Sequence, residues 1–159
     1  MEITLDRIPF AGKSVASPGR PTLNLDPSAF VADPALLAGL EKESSPFTCS
    51  ANQVLFRQGD APTGLYILKS GHARLTMSSD ACTDVLSFVA GPGSLLGLPG
   101  LIGNEPYTLT ATAQAGAKVC YVTRESFTAF MSSNPMLAFK ILQILAAEVR
   151  TARNAIFQR

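Results

Sequence analysis

The side chains that could do chemistry are few and far apart in this chain of 159 residues. His72 is the single histidine, whereas a metal centre needs several convergent ligands. The pairs Ser78-Ser79 and Ser132-Ser133 have no histidine partner of the kind that a catalytic serine needs. The segment Gly97-Leu98-Pro99-Gly100 is not followed by the Gly-Lys-Ser/Thr of a phosphate-binding loop. We therefore expect neither an enzyme nor a bound cofactor or metal.

Three cysteines, Cys49, Cys82 and Cys120, are widely separated and form no Cys-x-x-Cys pair. Such spacing favours free thiols in a reducing compartment. A redox-sensing thiol would need an electropositive surrounding, whereas Cys82 lies beside Asp80 and Asp84. The cysteines are therefore expected to be structural.

The composition describes a chain that can bury a sizeable core, with 47% hydrophobic and 16% charged residues. Its length suits one domain, and its formal net charge of +1 gives no bias towards nucleic acid, membranes or acidic partners. The N-terminus lacks the uninterrupted apolar stretch of a secretory signal, and no run approaches the ~20 apolar residues that span a bilayer. We expect a cytoplasmic protein that does not associate with membranes.

Between Cys49 and Thr123 short apolar runs alternate with turns that contain glycine. The strand-length runs are Leu65–Leu68, His72–Met77, Val85–Val89 and Val119–Val122. Many short strands at regular spacing favour a jelly roll or β-roll, in which two sheets fold together. The fold class expected is mostly β with flanking helices.

The regions on either side of these strands predict helices. Prolines among residues 1–26 suggest a poorly structured N-terminal arm. A single domain follows over 27–159, with a helical lead-in at 27–48, the β-roll at 49–123 and C-terminal helices at 124–159. Asn134-Pro135 predicts the start of a long last helix that continues to about Phe157.

The last helix carries apolar residues on two faces. One face has the 3-4-3-4 spacing of a coiled-coil seam and comprises Leu142, Leu145, Val149, Ala152 and Ile156. The other contains Leu137, Ile141 and Ile144, which would dock on the roll. Because a helix that is apolar on two faces usually has two partners, we expect a parallel homodimer through this helix. The alternative is one helix packed on its own roll.

The glycine framework resembles that of the cyclic-nucleotide-binding domains of the CRP/FNR superfamily of bacterial regulators. The matching runs are Arg57-Gln58-Gly59-Asp60, Gly64-Leu65-Tyr66-Ile67 and Gly93-Ser94-Leu95-Leu96-Gly97. The resemblance covers roughly Leu55 to Phe157. It implies a cyclic-nucleotide-binding-like β-roll followed by a long dimerisation helix, and a role in signal transduction or transcription regulation.

The residues that hold a cyclic phosphate in this family are replaced here. The resemblance implies a ribose-binding Glu at the position of Leu98, and a phosphate-neutralising Arg, followed by Ser or Thr, at Tyr107-Thr108 if one gap is allowed. No arginine or lysine occurs between Arg74 and Lys118. In the best-known members of the family a Thr-Ser pair on the long helix contacts the purine, and an ungapped match from Asn134-Pro135 places Ala152-Arg153 there. Because a buried phosphate needs its cation, cyclic AMP is not expected to bind in the usual mode.

The same positions define a hypothetical effector site that would be more apolar than the family's. Its residues are Phe88, Leu96, Gly97, Leu98, Pro99, Gly100, Leu101, Tyr107, Thr108 and Thr110. Either they line a cavity for another ligand, oriented by a threonine hydroxyl, or they fill the roll and bind nothing.

CRP/FNR regulators place a helix-turn-helix domain after the long helix, whereas this sequence ends at Arg159. We therefore expect a sensory or regulatory domain without a DNA-binding domain and without sequence-specific nucleic-acid binding. It would act through a small-molecule effector or a protein partner. The alternative function is a receptor for a cyclic nucleotide, or another small effector, with an atypical pocket.

Overall fold

The structure is a computed structural model that describes residues 22–81 and 83–157. Along the chain it contains a 3₁₀ turn (Pro27–Phe30), α1 (Pro34–Glu41), β1 (Ser45–Thr48), β2 (Gln53–Phe56), β3 (Gly64–Ser70), β4 (Ala73–Ser78), β5 (Asp84–Ala90), β6 (Leu95–Leu96), α2 (Leu98–Gly103), β7 (Thr110–Ala113), β8 (Lys118–Thr123), α3 (Arg124–Ser133) and α4 (Pro135–Phe157). Residues 1–21 of the predicted arm and Cys82 lie outside the described residues.

The strands form two antiparallel sheets of four strands within the described part of the chain. Their orders are β1-β8-β3-β6 and β2-β7-β4-β5. Both orders bring together strands distant in sequence; Gly64 of β3, for example, pairs with Thr123 of β8. The predicted fold class, a mostly β roll with flanking helices and a long C-terminal helix, is confirmed.

Strand β3 is buried on both faces of its sheet, because its side chains alternate between two apolar clusters. Leu68 and the partly buried Tyr66 contact the interior of the roll. Leu65 and Ile67 contact a second cluster formed with α1, α3 and α4, which includes Ile141. The period of two along the strand therefore fixes the helices against the outside of the roll.

The roll begins earlier than the sequence predicted. The lead-in expected to be helical over 27–48 ends its helix at Glu41, and Ser45–Thr48 pair with β8. Pro46 is compatible with this strand because β1 lies at the edge of its sheet. One side of an edge strand has no neighbouring strand, so the missing N–H of proline is tolerated there.

Residues 22–30, which we call the N-terminal strap, connect the roll to the last helix. The Leu23 N–H donates to the Val85 carbonyl over 2.9 Å, and the Ser87 N–H donates to the Leu23 carbonyl over 3.0 Å. The Asp26 N–H donates to Oγ1 of Thr151 on α4 over 2.7 Å. The expectation of a poorly structured arm therefore does not hold for residues 22–26, because Leu25 is buried and the backbone is hydrogen-bonded.

Helix α4 is continuous from Pro135, with Asn134 before it as predicted. Its inner face packs on the rest of the domain through Ile141, Ile144, Thr151 and Ala155. Within the described residues no helix is both long and apolar enough to cross a bilayer.

The five predicted seam residues of α4 divide into two groups. Leu142, Val149 and Ile156 are 58%, 49% and 57% exposed. Leu145 and Ala152 are half-buried and contact the two apolar clusters of their own domain. The outward stripe is therefore narrower than the seam expected from spacing.

Candidate functional site

An apolar cavity of about 150 Å³ lies where the roll, the strap and α4 meet. The strap contributes Leu25 and Phe30, and α4 contributes Glu148 and Ala152. The remaining lining residues come from the roll and its connections: Phe56, Leu75, Met77, Leu86, Leu95, Leu96, Gly97, Pro99, Gly100, Tyr107, Thr108 and Leu109. The cavity thus lies between the interior of the roll and helix α4.

Two glycines allow Tyr107 to lie against the start of α2. A Cβ on Gly97 would lie 3.0 Å from Cε1 of Tyr107, and Gly97 has a φ of 93° that side chains other than glycine rarely adopt. A Cβ on Gly100 would lie 3.0 Å from the Glu105 carbonyl and 3.2 Å from Cδ1 of Tyr107. The tyrosine ring therefore packs directly on the start of α2.

Tyr107 offers no free hydrogen-bonding group to a ligand. Its hydroxyl donates to the Gly64 carbonyl over 2.7 Å and accepts from the N–H groups of Thr63 and Gly64. Its ring stacks on Phe56, with centroids 4.2 Å apart. The position that the resemblance assigns to a phosphate-neutralising arginine is thus taken by an aromatic ring and a fully engaged hydroxyl.

Of the ten residues predicted for the effector site, six line the cavity: Leu96, Gly97, Pro99, Gly100, Tyr107 and Thr108. The other four lie elsewhere. Leu98 and Leu101 are buried in the cluster between the roll and the helices. Phe88 stacks behind the cavity wall on Phe30, at 4.5 Å between centroids, and Thr110 accepts a hydrogen bond from the Gln58 N–H over 2.9 Å.

Glu148 is the acid of the cavity, and it was not among the residues predicted for the site. Its side chain lines the cavity, and its Oε2 atom is buried with no hydrogen-bond partner among the described residues. Burial raises the pKa of the carboxyl to about 8. A signal was available, since Glu148 is seven residues after the buried Ile141 and seven before the buried Ala155, on the inner face of the helix.

The electrostatics of this site are the reverse of those that an anion needs. Among the described residues that line it there is no arginine, lysine or histidine, and the ionisable side chains are Glu148 and Tyr107. In the described part of the chain no three His, Cys, Asp or Glu side chains are grouped so as to hold a metal ion. Cys49 and Cys120 are buried free thiols.

Residues 46–134 match the family model described as the cyclic nucleotide-binding domain. The chain is 22% identical over 122 residues to the CRP-like cAMP-activated global transcriptional regulator of Mycobacterium tuberculosis, covering 77% of this chain and 54% of that protein. It is 29% identical over 98 residues to the transcriptional activator protein FnrA of Stutzerimonas stutzeri, covering 62% and 40%. The chain therefore spans about half the length of these relatives.

Solved structures show the same fold. The catabolite activator protein of Thermus thermophilus superposes with a TM-score of 0.69 at 22% identity, covering 84% of this chain and 62% of that one. The c-di-GMP responsive global regulator CLP of Xanthomonas campestris gives a TM-score of 0.63 at 20% identity, covering 77% and 63%. With the family match over more than half of its length, this chain belongs to the cyclic nucleotide-binding domain family, among relatives of the CRP/FNR type.

Proposed function

We propose that this chain is an effector-responsive regulatory domain of the CRP/FNR type that does not bind cyclic AMP in the family's usual mode. The observation that carries the proposal is the cavity between roll and helix, which holds an unpaired acid and, among its described lining residues, no cation. Its effector would join the roll to α4, because Glu148 and Ala152 belong to that helix.

The charge of the site argues against a cyclic phosphate. Loss of one partner of a buried charge pair costs on the order of 3–5 kcal/mol, which corresponds to a roughly hundred- to few-thousand-fold loss of affinity. Here the cation is replaced by Tyr107, and Glu148 adds a group that would repel the phosphate when ionised. The cavity of about 150 Å³ argues against the alternative in which the roll is filled by its own side chains.

The outward stripe of α4 supports a homodimer as part of this function. Leu142, Val149 and Ile156 are spaced by seven residues and are all about half exposed, and Phe139 beside them is 60% exposed. Two parallel helices pack through two apolar positions in every seven; the exposed stripe supplies one of them, and the half-buried Leu145 and Ala152 occupy the other. In such a dimer the effector cavity and the interface lie on neighbouring faces of one helix, so occupancy of one would bias the geometry of the other.

A receptor for a cyclic nucleotide with an atypical pocket is the second candidate. It is favoured by Gly97 and α2 beside the cavity, where the glycine framework matches the family, and by similar proteins whose names include cAMP and c-di-GMP. Such a ligand would need a cation from outside the cavity lining that the structure describes. The two candidates differ in one measurable property, the affinity for the free nucleotide.

Isothermal titration with cyclic AMP, cyclic GMP and cyclic di-GMP tests the choice. We expect no dissociation constant tighter than ~100 μM for any of them. Glu148→Gln is the matched variant: it removes the acid but supplies no cation, so it should not restore binding. A micromolar constant in the wild type would instead support the nucleotide receptor.

A further inference from the structure

Glu148, the one carboxylic acid among the described residues of the cavity lining, is placed where it could bind a ligand. Glu148 lines, from α4, a space whose other walls come from the strap, the strands and α2 and are apolar apart from Thr108 and the engaged hydroxyl of Tyr107. Its buried Oε2 makes no hydrogen bond to any described residue. Buried polar groups in folded proteins nearly always have a partner, so an unpaired carboxylate oxygen facing a cavity marks where a donor belongs.

We propose that the cavity binds a one-ring molecule carrying a protonated amine or amidine, whose nitrogen donates to the carboxylate of Glu148. This inference rests on the proposed function, in which the cavity is the effector site. It assigns that site a cationic, partly apolar ligand in place of an anionic one.

The size and lining of the cavity set the apolar part of the ligand. A cavity of ~150 Å³ lined by apolar side chains accommodates a molecule the size of benzene, whereas drug-sized ligands occupy ~300–1,000 Å³. Phe30, Phe56 and Tyr107 contribute three aromatic rings to the wall. Aromatic pairs gain stability beyond simple burial of their area, so a planar ring is favoured over a chain of equal volume.

The charge of the ligand follows from the charge of the site. In a water-poor cavity a carboxylate is strongly disfavoured unless a cation or donor meets it. An anion would find no cation among the described lining residues and would be repelled by Glu148 whenever its carboxyl is ionised, and a purely apolar ligand would leave Oε2 of Glu148 unpaired. A protonated amine satisfies the acid and fills the apolar space at the same time.

Binding should therefore be coupled to release of a proton. The free site holds Glu148 largely as the neutral acid near pH 7, since burial raises its pKa to about 8. The bound state pairs a carboxylate with an ammonium, so the exchange is R–NH₃⁺ + HOOC–Glu148 → R–NH₃⁺···⁻OOC–Glu148 + H⁺. The other ionisable group in the described lining is Tyr107, whose hydroxyl is engaged by Gly64 and Thr63.

Four one-ring compounds of similar size test the proposal: benzylamine, benzyl alcohol, toluene and benzoate. Selective labelling of the methionine methyl groups gives a local readout by nuclear magnetic resonance, because Met77 lines the cavity whereas Met131 and Met136 do not. We expect benzylamine to shift the Met77 resonance with a dissociation constant at least tenfold lower than that of benzyl alcohol, and benzoate to have no effect. Titration calorimetry in buffers of different ionisation enthalpy should show proton release with benzylamine at neutral pH.

Two variants assign the effect to the acid. Glu148→Gln keeps the size of the side chain and should abolish the preference for benzylamine while retaining toluene binding. Glu43→Gln removes an exposed acid outside the cavity and should change nothing.

Equal binding of benzylamine and benzyl alcohol, or a preference that survives Glu148→Gln, would overturn the assignment of a cationic ligand and leave the effector cavity intact. If none of the four compounds shifts Met77, the effector cavity itself is refuted, and the proposed function falls with it.

Discussion

The hydroxyl of Tyr107 and the backbone of Gly64 exchange hydrogen bonds across the roll, with the hydroxyl donating to the carbonyl over 2.7 Å and accepting the N–H over 3.3 Å. This contact fixes the ring against the start of α2, at the position to which the resemblance assigns an arginine. One aromatic residue thus stabilises the roll and leaves no cation at that position.

Tyr107→Phe should destabilise the domain by ~1–3 kcal/mol, because the buried N–H and carbonyl of Gly64 and the part-buried N–H of Thr63 lose their partner. Urea unfolding measures the loss. Tyr121→Phe is the control, since its hydroxyl bonds Oγ1 of Thr63 at an exposed site and its removal should cost less than ~1 kcal/mol. Equal losses in the two variants would contradict a special role for Tyr107.

Glu148 should make the domain less stable as the pH rises. Burial raises the carboxyl pKa to about 8 from an ordinary value of 4.5, so the folded state holds the proton more tightly than the unfolded chain. The contribution of this proton to the free energy of unfolding is fully present below about pH 4.5. It decreases as the pH rises from there to about 8, by ~1.4 kcal/mol for each pKa unit of the shift.

Glu148→Gln should remove this part of the pH dependence. The free energy of unfolding of the variant minus that of the wild type should therefore increase between about pH 5 and about pH 8. Glu43→Gln should show no such trend, because Glu43 is exposed. A flat difference for Glu148→Gln would mean that its carboxyl is ordinarily solvated.

The homodimer should depend on the outward stripe of α4. Leu142→Glu and Val149→Glu each place like charges at matching positions across a two-fold axis and should yield monomers. Light scattering measures the mass, and circular dichroism should keep the β signal. Gln143→Glu adds a charge at a neighbouring exposed position outside the stripe and should leave the dimer intact.

A wild type that is monomeric at tens of micromolar would refute the interface, since dimer formation follows concentration by mass action. The stripe would then be a face of α4 exposed in the monomer.

Thr151→Val should loosen the strap. The Asp26 N–H would lose its acceptor on α4 while the shape of the side chain is retained, which should cost ~1–2 kcal/mol. Hydrogen exchange should quicken at Asp26 and Leu23. Thr128→Val, an exposed threonine on α3, is the control; similar exchange in both variants would show that the Thr151 contact does not hold the strap.

The parts of the fold that depend on local chemistry could be predicted from the sequence. Pro135 after Asn134 predicts a helix start because proline suits the first turn, and α4 begins there. Glycines at tight reversals predict the turns, and Gly59, Gly71, Gly93 and Gly97 all have positive φ. These signals need no knowledge of distant residues.

The candidate site could be predicted only in part, because its walls from the strap and α4 are set by contacts far apart in the chain. Six of the lining residues were predicted through the family resemblance, since they lie around the start of α2 or shortly after the helix, where the glycine framework matches the family. Leu25 lies in a segment rich in proline and polar residues, and its burial depends on β5 and α4. Glu148 was not predicted because the seam pattern on α4 drew attention to the outward face. Its spacing of seven residues from the buried Ile141 and Ala155 nevertheless places it on the inner face.

The strap has a kinetic consequence. It is bonded to β5 through Leu23 and to α4 through Asp26, and between those points Leu25 forms part of the cavity wall. A displacement of α4 against the roll must therefore break the Asp26 contact or strain the pairing of Leu23. Opening this wall for a ligand strains the same bonds. Both ligand exchange past the strap and movement of α4 would then require these hydrogen bonds to break. A change that weakens the bonds would therefore raise the rates of both processes together.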